Sequence, residues 1–161
     1  MPRRSAWFAL ALAVVLVDQL CKWAVVSAFA PGERLALGGF FNLVLAFNKG
    51  AAFSFLAGAP GWQTPLFIAV ALIAIVVVSV LLVRSPGDPM VRAGLALILG
   101  GALGNLIDRV RYGQVVDFLD FHVYGWHWPA FNVADSAITI GAGLLIYESL
   151  LHRGTDGERR R

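Results

Sequence analysis

The stretch LFIAVALIAIVVVSVLLV, residues 66–83, contains no ionisable side chain. An α-helix needs about 20 mostly apolar residues to cross a bilayer, and this run with Pro65 placed in its first turn supplies them. Three further stretches approach the same length, at about 7–28, 92–109 and 132–151, and with 64–84 they make four predicted spans. Composition agrees: of 161 residues, 58% are hydrophobic and only 14% charged, which is membrane usage. The fold class expected is an all-α membrane protein, a four-helix transmembrane bundle forming one integral-membrane domain over residues 1–161.

Arginine and lysine in the connections set the orientation. Arg3, Arg4, Arg84, Arg92, Arg153, Arg159, Arg160 and Arg161 fall on one side, against Arg34, Lys49, Arg109 and Arg111 on the other. The positive-inside rule then puts both termini and the 85–91 turn in the cytoplasm, and segments 29–63 and 110–131 outside. This bias accounts for the net charge of +3, so no nucleic-acid partner is expected. The first span imitates a secretion signal, with Arg3 and Arg4 before it and AFA at 28–30. Asp18, Gln19 and Lys22 interrupt what would be its apolar core, so it is expected to stay uncleaved. Cys21 is the only cysteine, which excludes an internal disulfide and leaves a plain helix residue.

In the first outward segment, FFNLVLAF at 40–47 has the bulky residues of a short strand, and Gly38, Gly39, Gly50 and Gly58 mark turns. A small sheet-like or extended element lying on the membrane surface is expected. Its aromatics Phe40, Phe41, Phe47, Phe53, Phe55 and Trp62 suit an interface, either as anchors or as a platform for an apolar or lipidated ligand. In the third span, Gly100 and Gly104 form a small-xxx-small pair that lets another helix approach closely.

A charge at the centre of a span costs about 2.5 to 3.5 kcal/mol, so every ionisable residue there calls for a reason. Asp18 and Lys22 lie four apart with the acid first, the favourable order for a helical ion pair. Asn105, Asp108 and Arg109 share a face at the outward end of the third span by the same spacing, and Asn132 and Asp135 repeat it at the start of the fourth. Asp117 follows in the connecting loop, with Asp120 just beyond. Taken singly, Asp135 fits a helix N-terminus and Asp117 a solvated loop acid. Taken together, the short connection between the third and fourth spans brings both acids to the outer surface, where they can converge.

Two carboxylates a few ångströms apart cannot both stay ionised and come to share a proton. One can then act as base on a water while the other, protonated, hydrogen-bonds the carbonyl under attack. This chemistry needs neither cofactor nor metal, and none is expected. His122, His127 and His152 have no zinc-ligand spacing, and GALGN lacks the strand and lysine of a phosphate-binding loop. A Ser–Lys pair from Ser27 or Ser54 with Lys22 or Lys49 is not selected by any spacing. An ion carrier would place polar groups at mid-membrane and on both sides, whereas here they crowd the outward ends.

DQLCK at 18–22, NKGAAFS at 48–54, GGALGNLIDR at 100–109, VVDF at 115–118 and FNVADSAI at 131–138 resemble, in order and spacing, the motifs of the bacterial lipoprotein signal peptidases, or signal peptidase II. The resemblance covers residues 18–138. It implies a multi-pass aspartic endopeptidase of the bacterial inner membrane, with a small periplasmic sheet and an active site near the periplasmic face. Its substrates would be diacylglyceryl-modified prolipoproteins, cut just before the lipidated cysteine, with membrane lipids as its surroundings. Matching motif positions makes Asp117 and Asp135 the catalytic pair. Asp18, Lys22, Asn48, Gly50, Asn105, Asp108, Arg109, Asn132 and Ala134 fall on positions that support the site or bind substrate. The family is blocked by globomycin, so sensitivity is expected, and the chain is expected to be monomeric.

Overall fold

The computed structural model describes residues 4–50, 62–85 and 88–158. Phe53, Ser54, Phe55, Gly58, Arg3, Arg159, Arg160 and Arg161 lie outside the described residues. Four helices form at the four apolar stretches: α1 Arg4–Ala28, α2 Gln63–Arg84, α3 Pro89–Tyr112 and α4 Val133–Glu158. Each is long and apolar enough to cross a membrane. Between them lie β1 Arg34–Ala36, β2 Phe41–Asn48, β3 Val115–Val123 and β4 Trp126–His127, paired antiparallel in the order β1-β2-β3-β4. The expected short strand is β2. Among the described residues the architecture is thus four helices able to span a membrane and one small four-stranded sheet.

Local chemistry fixes the ends of α3. Asp88 caps its start, accepting from the Met90 and Val91 amides at 2.7 and 3.2 Å, with Pro89 in the first turn where no amide is needed. Gly113, at φ 70°, ends it in the left-handed conformation, and its N–H returns to the Arg109 carbonyl. The Gly113 carbonyl accepts from Thr64 Oγ1 at 2.7 Å, which ties the start of α2 to the end of α3.

α3 is the centre of the bundle and packs on α1, α2 and α4. Its glycines make the close approaches possible. A β-carbon on Gly100 would come within 2.6 Å of the Ala11 carbonyl, and one on Gly104 within 2.6 Å of Asp18 Oδ2, so the predicted small-xxx-small pair receives α1. Gly101 similarly admits α4 at the Ala134 carbonyl.

The distribution of side chains is inverted relative to a soluble protein. Val70, Leu72, Ile73, Val76 and Val77 of α2 are exposed, while Asp18, Lys22, Asn105, Asp108, Asp117, Asp120 and Asn132 are buried. Lipid solvates the outside, so polar groups gather within. They lie at the end of the bundle where α1 and α3 finish and α2 and α4 begin, the end that carries the sheet.

Candidate active site

The innermost part of the polar cluster is an ion group across two helices. Lys22 Nζ lies 2.8 Å from Asp18 Oδ2 and 2.7 Å from Asp108 Oδ2. The i,i+4 pair expected within α1 is present, and a second acid from α3 completes it. Gln19 Nε2 lies between the two carboxylates, 3.2 Å from Asp18 Oδ2 and 2.9 Å from Asp108 Oδ1, and it also reaches the Gly104 carbonyl at 3.2 Å. Both acids also receive backbone amides: Ala134 N–H donates to Asp18 Oδ1 at 2.9 Å, and Val116 N–H to Asp108 Oδ2 at 3.1 Å. A buried ion group persists only when its remaining lone pairs are satisfied, and here they are. The two amides belong to residues adjacent to Asp135 and Asp117, so this cluster fixes where those acids stand.

Asn105 carries the connection outward. Lys22 can only donate, so the amide oxygen of Asn105 faces it at 3.1 Å, and the amide nitrogen is thereby turned to Asp135 Oδ1 at 2.7 Å. Asn132 does the equivalent for Asp117: its Nδ2 lies 2.7 Å from Asp117 Oδ1 and also within 3.2 Å of both Asn105 Oδ1 and the Val116 carbonyl.

Asn132 precedes α4, and Asp135 is its third residue. Asp135 N–H donates to Asn132 Oδ1 at 2.9 Å, and Asn132 N–H donates back to Asp135 Oδ2 at 3.3 Å. This reciprocal pair is a capping box. The helix-terminal reading of Asp135 and its place in a two-acid site are therefore the same geometry.

The last oxygen of Asp117 is held by β2. Asn48 Nδ2 donates to Asp117 Oδ2 at 3.0 Å, and Asn48 Oδ1 accepts from Gly50 N–H at 2.8 Å. Gly50 has φ 98°, which closes this short turn behind Asn48. Every carboxylate oxygen of Asp117 and Asp135 thus receives a neutral N–H, and among the described residues neither acid forms an ion pair with lysine or arginine.

Neutral donors orient an acid without cancelling its charge. Burial, and next the charge of Asp135, push the Asp117 carboxyl up to about 7, against the pull of its Asn48 and Asn132 hydrogen bonds and the Lys22 charge. Asp117 is only 2% exposed, whereas Asp135 is partly accessible. Asp117 is thereby equipped to hold a proton near neutral pH.

Of the residues singled out by sequence, Asp18, Lys22, Asn105, Asp108, Asn132 and Ala134 join this network, as do Asn48 and Gly50 from the sheet side. Arg109 forms no ion pair with Asp108 among the described residues, though the charges of Asp135, Asp108 and Asp117 act on it: its guanidinium lies over the Phe67 ring, 5.4 Å from the centroid, and reaches the Asn105 carbonyl at 3.3 Å. Asp120 forms a separate cluster, since a residue three along β3 from Asp117 points to the other face. It accepts from Asn42 at 2.9 Å, contacts His127 Nδ1 at 2.8 Å and lies 3.7 Å from Arg34. Burial acts to raise its pKa, but those hydrogen bonds and the His127 and Arg34 charges outweigh it and hold the carboxyl below its usual range.

Sequence reading did not assign Gln19 to the site, although an amide beside Asp18 inside an apolar helix was the available signal. Phe67 gave no signal, being one apolar residue in an apolar run.

Comparison with known proteins bears on the family and the fold. The family model for signal peptidase (SPase) II matches residues 10–151. A lipoprotein signal peptidase of Paraburkholderia phymatum is 57% identical over 146 residues, 91% of this chain and 88% of the relative. That of Burkholderia vietnamiensis is 56% identical over 152 residues, covering 94% of this chain and 92% of the relative. Two solved structures of a bacterial membrane enzyme superpose with TM-scores of 0.84 and 0.80 at 30% and 31% identity. They cover 94% and 91% of this chain, and 91% and 93% of their own. The family match runs through all four helices and the sheet, and the chain belongs to the signal peptidase II family.

Proposed function

We propose that this protein is an aspartic endopeptidase that removes the signal peptide from diacylglyceryl-modified prolipoproteins, cutting before the lipidated cysteine, with Asp117 and Asp135 as the reacting acids. The observation that carries this reading is the shared use of Asn132 by two carboxylates whose oxygens are otherwise held only by neutral N–H donors.

In the working state one carboxyl is protonated and the other ionised. The ionised one takes a proton from a water as its oxygen bonds to the scissile carbonyl carbon, and the protonated one gives its hydrogen to the carbonyl oxygen. Collapse of the resulting gem-diol breaks the C–N bond. The departing amine, which becomes the N-terminus of the lipidated cysteine, takes up a proton, and the diol returns one to the pair. Every proton is accounted for by the two acids, the water and the substrate.

The charge bias between loops supports an inner-membrane setting with both termini cytoplasmic and the site near the periplasmic face. A diacylglyceryl group rests in the outer leaflet, so a bond next to it is presented at that level. Exposed apolar groups on β1 and the β1–β2 connection, among them Leu35, Leu37 and Phe40, supply a surface compatible with acyl chains and membrane lipids. Acting as one peptidase domain in a single copy, the chain supplies both reacting acids.

The test is cleavage by the purified protein of a prolipoprotein with and without its diacylglyceryl group. Cleavage of the modified form alone, blocked by globomycin, is expected. Equal cleavage of both forms would overturn the substrate assignment, and full activity of Asp117→Asn or Asp135→Asn would overturn the mechanism.

A further inference from the structure

We propose that Phe67 is a positioning residue for Asp117, acting through Gly50 and Asn48; this rests on the reading of Asp117 as a reacting carboxylate.

Phe67 lies near the start of α2, where the Thr64–Gly113 hydrogen bond fixes that helix to α3. One side of its ring faces the Arg109 guanidinium at 5.4 Å, and Arg109 is itself returned to the α3 backbone through the Asn105 carbonyl. The ring also lies flush against Gly50: a β-carbon built there would overlap it, with the ring Cζ 2.9 Å away. Gly50 is thus glycine for two reasons, its φ of 98° and this wall. From Gly50 the path is short. Its N–H holds Asn48 Oδ1 at 2.8 Å, and Asn48 Nδ2 holds Asp117 Oδ2 at 3.0 Å.

A flat ring is what this position requires, since it offers a face to the cation and leaves room for a residue without a β-carbon. Removing it opens space behind Gly50, frees the turn and lets the Asn48 amide rotate away from Asp117. The lost hydrogen bond is one that favours the ionised acid, so Asp117 binds its proton more tightly without it. Ordinary packing by Phe67 would have a different signature, a loss of stability with no change in proton affinity at the site.

The experiment measures kcat and KM against pH for the purified full-length protein acting on a diacylglyceryl-modified prolipoprotein. For Phe67→Ala we expect kcat to fall about tenfold or more, KM to stay within about twofold, and the pH–rate profile to move to higher pH. Phe67→Tyr, which keeps the ring, should return the profile toward wild type. In an Asn48→Ala background, Phe67→Ala should shift the profile no further, because both changes break the same link. Phe67→Leu keeps the apolar bulk and decides the matter if the alanine variant fails to fold. An unmoved profile in Phe67→Ala or Phe67→Leu, or an equal shift in the Asn48→Ala background, would overturn the assignment. Asp117→Asn run alongside separates the two ideas: if it is inactive while the Phe67 profile stays put, only the role of Phe67 falls. Activity in Asp117→Asn would remove the reading beneath it.

Discussion

Among the described residues, two pairs of acids at the sheet end of the bundle are treated in opposite ways. Asp18 and Asp108 flank Lys22 at 2.8 and 2.7 Å, so their charges are met by a cation within the cluster. Asp117 and Asp135 are bound by Asn48, Asn105 and Asn132, which donate hydrogen bonds but carry no charge. The first arrangement closes an ion group and uses it as a fastener between α1 and α3. The second orients two acids while leaving their mutual repulsion in place, and that repulsion adds to burial in raising the Asp117 carboxyl to about 7. Asn105 joins them, accepting from Lys22 on one side and donating to Asp135 on the other.

If the pairs have these separate duties, exchanging charges for amides should separate activity from stability. Asp117→Asn and Asp135→Asn should each lower cleavage about a thousandfold or more, while immunoblots of membrane fractions show normal accumulation. Lys22→Met should do the reverse at the level of folding. It leaves Asp18 and Asp108 buried together without their cation, at a cost of about 3 to 5 kcal/mol, so the protein should be depleted from membranes. Normal amounts of Lys22→Met would break the contrast.

A third effect concerns stability against pH. The folded state binds a proton at Asp117 up to about pH 7, whereas the ordinary carboxyl releases it near 3.8. Between those values the folded form holds more protons than the unfolded, so rising pH destabilises the wild type by an amount on the order of a few kcal/mol. Thermal unfolding in detergent should show that decline from about pH 4 to 7, and Asp117→Asn should flatten it. The smallest effect is expected from Gly104→Ala, whose β-carbon would sit 2.6 Å from Asp18 Oδ2. Crowding the fastener should cost about 1 to 3 kcal/mol, read as a lower unfolding temperature with an unshifted pH–rate profile.

Much of this was legible in the sequence where a local rule applied. Long, mostly apolar stretches pointed to the four helices, because span length is set by bilayer thickness. Spacing of three and four placed Asn105 and Asp108 on one face, where both meet Lys22, set Asn132 against Asp135, and paired Asp18 with Lys22. What escaped depends on packing between distant segments. The second partner of Lys22 comes from α3, an approach made possible by the missing side chain at Gly104. Arg109 shares spacing with Asn105 and Asp108, but its long side chain reaches an aromatic ring on α2 instead. Asp120 stood beside Asp117 in the sequence, yet strand alternation sends it to a cluster with Asn42 and His127. Phe67 is defined only by its contacts with Gly50 and Arg109, which no periodicity reports.

The central claim is that two acids held by amides share one proton in the working enzyme. The pH dependence of kcat/KM for the purified protein on a diacylglyceryl-modified prolipoprotein tests it most directly, measured from about pH 4 to pH 9. A bell-shaped profile is predicted, falling on the acid side as the base is protonated and on the alkaline side, from about 7 upward, as the shared proton is lost. A rate that stays level or keeps rising through pH 9 would contradict it.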